Sequence, residues 1–287
     1  MIFKEFIDND LGHVSYIFGD YESREVVIVD PRRDIDEYVD FIKSNDLVLK
    51  YILNTHTHAD YIGGHLELID IYKNAKNIFH KDVPANFEFI KVKEGDIFTI
   101  GKNLHLKILE TPGHTPYCIS CIINEEGVDK YIFTGDILFV GDIGRPDLLG
   151  KENIELLVNL SYQTAKKLWE LNDEIILFAS HIEGSLCGEN LKRQYFSTIG
   201  IEKKTNRSFA LCQKSKEEYI ENLLSQNIET PLFFKKMASI NITGPKLLKD
   251  ITKPKLLKKE NFFKEYNEKG GYIIDFRHPN CFKSGYI

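Results

Sequence analysis

Thr55-His56-Thr57-His58-Ala59-Asp60 is the stretch on which the reading of this chain turns. It follows Lys50 to Leu53, a short apolar run with the character of a strand, so the motif begins where a strand ends. On an extended segment, residues two apart point to the same side. One short loop therefore presents two imidazoles and a carboxylate together. Only nine histidines occur in 287 residues, so two of them and an aspartate within five residues read as chemistry rather than decoration.

Two further pieces share this placement. Thr111-Pro112-Gly113-His114-Thr115 follows the strand-like run Leu104 to Leu109, and its Pro and Gly favour a tight turn with one histidine at the tip. Phe133-Thr134-Gly135-Asp136 is a strand end followed by glycine and a carboxylate. Ser180-His181, after the run Glu174 to Phe178, is a fourth candidate. Strand ends and the loops that leave them aim side chains into shared clefts. Imidazole and carboxylate without thiolate suit zinc or iron(II), and two histidines with one carboxylate is the ligand set of non-haem iron oxygenases. His13, His80 and His105 lie in or beside strand patterns without partners, and His65 opens a helix; these four read as structural.

Outward from the motif, the pattern is layered. Met1 to Asp8 alternates like a strand, and His13 to Phe18 and Glu25 to Val29 read as two more. Ile35, Tyr38, Val39 and Ile42 have helical spacing, as do Leu66, Leu68, Ile69 and Tyr72. Strands are expected around Asp96 to Ile100, Leu104 to Leu109, Tyr117 to Ile123, Lys130 to Phe133 and Glu174 to Phe178, with a long helix over Ile154 to Trp169. From about Glu189 to Asn241 the pattern is helical throughout. Two groups of strands flanked by helices argue for an α/β sandwich. Residues 241–260, rich in lysine with proline and glycine, read as a linker, and 271–277 as one further strand.

Composition narrows the function classes. The chain carries 37 basic and 43 acidic residues, a net charge of -6, which gives no reason to expect nucleic acid or an anionic membrane as partner. No run approaches the roughly 18–20 apolar residues that span a bilayer. The acidic, strand-like N-terminus does not read as a leader peptide. Five scattered cysteines point to free thiols and a cytoplasmic location. Cys118 and Cys121 form a CxxC inside an apolar strand-like run, which reads as buried packing rather than redox chemistry.

Over about residues 1–240 the chain resembles the metallo-β-lactamase superfamily, on the strength of its THTHAD, TPGHT and TGD motifs in that order. The resemblance implies an αββα sandwich with a metal cleft at the sheet edges. The family's common loop is HxHxDH, and here Tyr61 occupies the sixth position, which argues against two metal ions. The stretch from Thr134 through Gly144-Arg145-Pro146-Asp147 resembles persulfide dioxygenases, as does His181 through Cys187-Gly188 in those fused to rhodanese domains. Carried over residue by residue, this implies one iron(II) held by His56, His114 and Asp136. His58, Asp60, Tyr61 and His181 would form the catalytic surroundings that orient ligands and water. Arg145, Asp147 and Cys187 would shape the substrate pocket.

The implied reaction takes a low-molecular-weight persulfide, of glutathione or coenzyme A, with O2 to sulfite and thiol. The resemblance also carries an expectation of a homodimer. Asp275-Phe276-Arg277 and Phe282 to Ile287 resemble the opening of a rhodanese domain, so 261–287 would be its unfinished start, with Tyr286 in place of a histidine, His278 in a loop and Cys281 misplaced for a sulfurtransferase nucleophile. Two rival readings stand beside this one: a zinc-dependent thioester hydrolase of glyoxalase II type, and a non-catalytic sulfane-sulfur or thiol-binding protein.

Overall fold

The computed structural model describes residues 1–148, 150–226, 230–277 and 279–285. The chain forms two units, Met1–Leu247 and Leu248–Ile287.

In the first unit, β1 (Ile2–Asp8), β2 (His13–Gly19), β3 (Glu25–Val29), α1 (Asp36–Ser44), β4 (Val48–Leu53), α2 (His65–Ile71), β5 (Lys76–His80) and β6 (Ile90–Val92) come first. Their strands form one sheet in sequence order, antiparallel from β1 to β3 and parallel from β3 to β6. Then follow β7 (Ile97–Ile100), β8 (Leu104–Glu110), β9 (Ile119–Glu125), β10 (Val128–Gly135), α3 (Ile154–Trp169), β11 (Ile176–Ala179) and β12 (Phe196–Thr198). These strands make a second sheet in the order β12-β11-β10-β9-β8-β7. A helical extension closes the unit: α4 (Ile199–Thr205), α5 (Arg207–Ala210), α6 (Lys216–Leu224) and α7 (Phe234–Thr243).

The strands β2, β3, β9 and β11 read as nearly continuous apolar runs because both of their faces are covered. Side chains alternate in direction along a strand, so a strand covered on both faces feeds two cores. Val27 and Val29 of β3 join Phe133 of β10 and Phe178 of β11 between the sheets. Their neighbours Val26 and Ile28 pack outward with Tyr38, Val39 and Ile42 of α1. Ile132 and Leu177 pack outward on the other side, with Ala165 and Leu168 of α3 and Phe209 of the extension. The result is an α/β sandwich with two mixed sheets, as the periodicity implies.

Three strands escape the sequence pattern. β5 and β6 are short and are held by parallel pairing, β5 with β4 and β6 with β5, rather than by a pattern of their own. β12 interrupts the segment expected to be all helix, because Phe196–Thr198 pairs with β11.

The second unit contains α8 (Lys259–Lys269) and α9 (Pro279–Lys283), and no strand among its described residues. The strand expected at 271–277 does not form. A single strand without neighbours leaves its backbone groups unpaired, so apolar alternation alone does not make one. Arg277 instead folds back on Asp275, Nε to Oδ1 at 2.9 Å. His278 and Tyr286 lie outside the described residues. No described helix is long and apolar enough to cross a membrane.

The aromatic centre between the sheets ties them together. Phe133 is buried and stacks on Phe18 at 4.9 Å and on Phe178 at 5.2 Å between ring centroids. Phe133→Ala should cost about 3–5 kcal/mol, a large part of the roughly 5–15 kcal/mol that holds a domain. Urea unfolding would show a lower midpoint with an unchanged slope.

Candidate metal centre

Five strand ends meet at one edge of the sandwich: those of β3, β4, β8, β10 and β11. Asp30, directly after β3, lies buried at their junction with a left-handed backbone, φ 49°. Its carboxylate accepts from the Thr55 amide at 2.7 Å, the Thr55 hydroxyl at 2.7 Å and the Ser180 hydroxyl at 2.9 Å. His58 Nε2 lies 3.2 Å from the same carboxylate. Residues that follow β3, β4 and β11 are thus fastened to one acid.

The hydrogen bonds fix the histidine tautomers. The single Thr55 hydroxyl proton goes to Asp30, so Thr55 Oγ1 accepts from His56 Nδ1, 2.9 Å away. That leaves a bare lone pair on His56 Nε2. His114 Nδ1 donates to the Arg145 carbonyl at 2.8 Å, which leaves its Nε2 bare as well. Asp136 Oδ2 lies 3.7 Å from His56 Nε2 and 3.5 Å from His114 Nε2. His56 Nε2 and Asp136 Oδ2 are buried without a hydrogen-bond partner. Buried polar atoms with nothing to bond are costly, and lone pairs that face one another repel. A cation removes both penalties. The donor set therefore fits a metal ion held by His56, His114 and Asp136, each oriented from behind in the manner of metal-ligating histidines.

Gly135 and Gly144 make the approach possible. Gly135 has φ 56°, and a Cβ there would sit 2.5 Å from Thr55 Oγ1. A Cβ on Gly144 would fall 1.7 Å from the Asp136 carbonyl, so the loop that returns toward His114 admits only glycine.

His181 stands behind Asp136. Its Nδ1 is 2.8 Å from Asp136 Oδ1 and its Nε2 is 2.8 Å from Asp60 Oδ2. Asp60, His181 and Cys187 also bring their ligand atoms within 4.8 Å of one another. Burial pushes the Cys187 thiol up to about 12, so it stays protonated as the site stands.

Tyr61 does not turn toward Asp136. Its ring stacks on His58 at 4.4 Å, and its hydroxyl lies 2.9 Å from His13 Nε2 and 3.2 Å from the Asp30 carbonyl. Arg145 is buried, and its guanidinium grips Asp147 through Nε at 2.6 Å and through a terminal nitrogen at 2.7 Å. It also donates to the Leu186 carbonyl and the Thr230 hydroxyl.

The structure thus gathers His56, His58, Asp60, His114, Asp136, His181 and Cys187. Of the four histidines read as structural, His13 belongs with the site through Tyr61 and a backbone bridge to His181. His80 pairs with Glu110, His105 lies against Thr99, and His65 packs between Phe79 and Phe87. Sequence reading missed Asp30 and Asn241. An acid at the end of an apolar strand was the only signal for Asp30; Asn241 gave none, because its target is remote in sequence. Cys118 and Cys121 are free and buried, and burial raises both thiols.

The model of the metallo-beta-lactamase superfamily matches residues 8–181. The mouse (Mus musculus) mitochondrial persulfide dioxygenase ETHE1 is 28% identical over 222 residues, covering 76% of this chain and 78% of its own. The hydroxyacylglutathione hydrolase GloC of Haemophilus influenzae is 32% identical over 205 residues, covering 64% of this chain and 87% of its own. A crystal structure of a metallo-beta-lactamase from Staphylococcus aureus subsp. aureus COL superimposes with a TM-score of 0.79 at 33% identity, covering 88% of this chain and 75% of that one.

The buried histidines set a pH dependence. Burial pushes His13, His56, His65 and His114 below the usual imidazole range, His56 and His65 to about 3. They take up protons on unfolding, so stability falls as the pH drops below the ordinary value of about 6.5. Burial also works against charge on His58 and His181, but Asp30 overrides it at the first and Asp136 and Asp60 at the second, and both are raised. Their contribution is complete below about 6.5 and is lost as the pH rises through their folded values. Metal-free protein should therefore be most stable near pH 6.5, with urea midpoints falling on either side. A midpoint that climbs steadily through that value would contradict the assignment.

Proposed function

Since this chain belongs to the metallo-β-lactamase superfamily, we propose that it is an iron(II) persulfide dioxygenase with one metal ion per chain. The substrate is a low-molecular-weight persulfide, which O2 and water convert to sulfite and the thiol. The sulfane sulfur is oxidised, the S–S bond breaks, and O2 supplies two of the three sulfite oxygens while water supplies the third.

The observation that carries this reading is the convergence of His56 Nε2, His114 Nε2 and Asp136 Oδ2 in a buried site. Two imidazoles and one carboxylate with open positions suit non-haem iron(II). When bound, iron supplies the one-electron chemistry that O2 requires and that redox-inert zinc lacks.

The side chains supply orientation and a protected site. Thr55 and the Arg145 carbonyl hold the two imidazoles in the tautomer that presents Nε2. His181 keeps a proton on Nδ1 toward Asp136, which leaves the other carboxylate oxygen aimed at the histidines. Cys187 stands beside Asp60 and His181, and Arg145, paired with Asp147, lends the carbonyl that holds His114. The similarity to a persulfide dioxygenase over three quarters of both chains supports the reaction class. The likeness of Asp275-Phe276-Arg277 to a rhodanese opening belongs to the same proposal, because a sulfurtransferase handles the same sulfane sulfur.

A zinc-dependent thioester hydrolase is the second reading, favoured by the 32% identity to a hydroxyacylglutathione hydrolase. Tyr61 weighs against it. A phenol engaged with His13 and Asp30 does not replace an imidazole at a second ion.

Metal analysis with oxygen uptake separates the two. Protein reconstituted anaerobically with iron(II) should hold one ion per chain. It should consume O2 and release sulfite with glutathione persulfide, coenzyme A persulfide or both. No uptake with either substrate, together with thioester cleavage by the zinc form, would reverse the conclusion.

A further inference from the structure

We propose that Asn241 is a positioning residue of the metal centre, and that α7 is part of the scaffold that shapes it. The proposal rests on the metal reading of His56, His114 and Asp136. α7 buries Phe234, Ala238 and Asn241, spaced four and then three apart, so they lie on one face of the helix. Phe234 and Ala238 pack with Ala59, inside the histidine motif, and with Leu148. The third member of this buried stripe is an amide, which is costly there unless its hydrogen bonds are made.

All of those bonds go to one short loop. Asn241 Nδ2 donates to the His58 carbonyl at 2.8 Å and to the Tyr61 carbonyl at 2.8 Å. Its Oδ1 accepts from the Gly63 amide at 2.9 Å. The two carbonyls flank Asp60, so the amide sets the path of the backbone that carries this acid. Asp60 holds His181 Nε2 at 2.8 Å, and His181 Nδ1 holds Asp136 Oδ1 at 2.8 Å. The other Asp136 oxygen faces His56 and His114. Short hydrogen bonds and one stretch of backbone thus run from α7 to the carboxylate of a metal ligand, without Asn241 touching the metal.

A residue that only docked a helix would behave differently. While the protein stays folded, a weaker dock lowers stability and leaves the intrinsic metal affinity alone. A positioning residue moves the affinity and the ligand field. Loss of a partner behind a metal ligand typically costs about 10- to 100-fold in affinity.

The test compares Asn241→Leu, Asn241→Asp and Phe234→Ala in the full chain, with cobalt(II) as the probe. Leucine removes all three bonds at similar volume. Aspartate keeps the acceptor for Gly63 but sets a carboxylate oxygen against two carbonyls. Phe234→Ala loosens the dock and keeps the three bonds. Both Asn241 variants should bind cobalt at least about tenfold more weakly, with an altered d–d spectrum, at a metal-free unfolding midpoint no lower than that of Phe234→Ala. Phe234→Ala should keep the wild-type affinity and spectrum. Should Asn241→Leu fail to fold, Asn241→Asp decides. Wild-type affinity and spectrum in the folded Asn241 variants would overturn this inference alone. A wild-type chain that binds no cobalt, iron or zinc would overturn it together with the metal reading.

Discussion

Three buried side-chain atoms that face one another, the candidate metal ligands, set the terms for the rest of this molecule. His56 Nε2, His114 Nε2 and Asp136 Oδ2 bring lone pairs together within 3.5 to 3.7 Å of the carboxylate oxygen. No hydrogen bond among them relieves this, because the proton of each imidazole is engaged on its far side. Such an arrangement is unfavourable for a protein alone and favourable around a cation. The fold has to hold it against its own repulsion, and much of the surrounding polar structure serves that end.

The sandwich supplies the rigidity. Each ligand follows a strand whose two faces are packed, so its position is set by two cores at once. Asp30 joins the loops after β3, β4 and β11, and it is stabilised as a carboxylate by the donors that surround it. Burial would raise the pKa of Asp30, but His58, His56 and Thr55 hold it below the usual carboxylate range. The same acid therefore joins the loops and fixes the tautomer of His56 through one hydroxyl.

The helical extension reaches the same site from outside the sandwich. Asp142, buried in the loop after Asp136, accepts from Ser208 and Gln226 of the extension and from the Glu189 and Asn190 amides. That loop carries the Arg145 carbonyl to His114. α7 closes over the histidine motif with an apolar pair and one amide. The extension and the sandwich thus share a polar network as well as a core, which explains why Phe209, Tyr219 and Leu223 belong to the same cluster as the outer face of the second sheet.

The sequence by itself determined the class of fold, the candidate ligands and their order along the chain. Those features are local: apolar runs that end at histidine or aspartate, and a motif whose residues share one side of an extended loop. Tyr61 was legible as a departure, since it stands where an imidazole would be expected. What Tyr61 does was decided only by the tertiary structure, which turns its hydroxyl to His13 and Asp30. The roles of Asp30, His13 and Asn241 were decided there too, because each acts on residues 25 to 183 positions away. The short strands β5, β6 and β12 depend on the neighbouring strands that pair with them, and the apolar run at 271–277 forms no strand because none is beside it among the described residues of its unit. Local pattern specifies which groups a chain can offer. Hydrogen bonds between remote segments decide which way those groups face, and in a metal centre that direction is the chemistry.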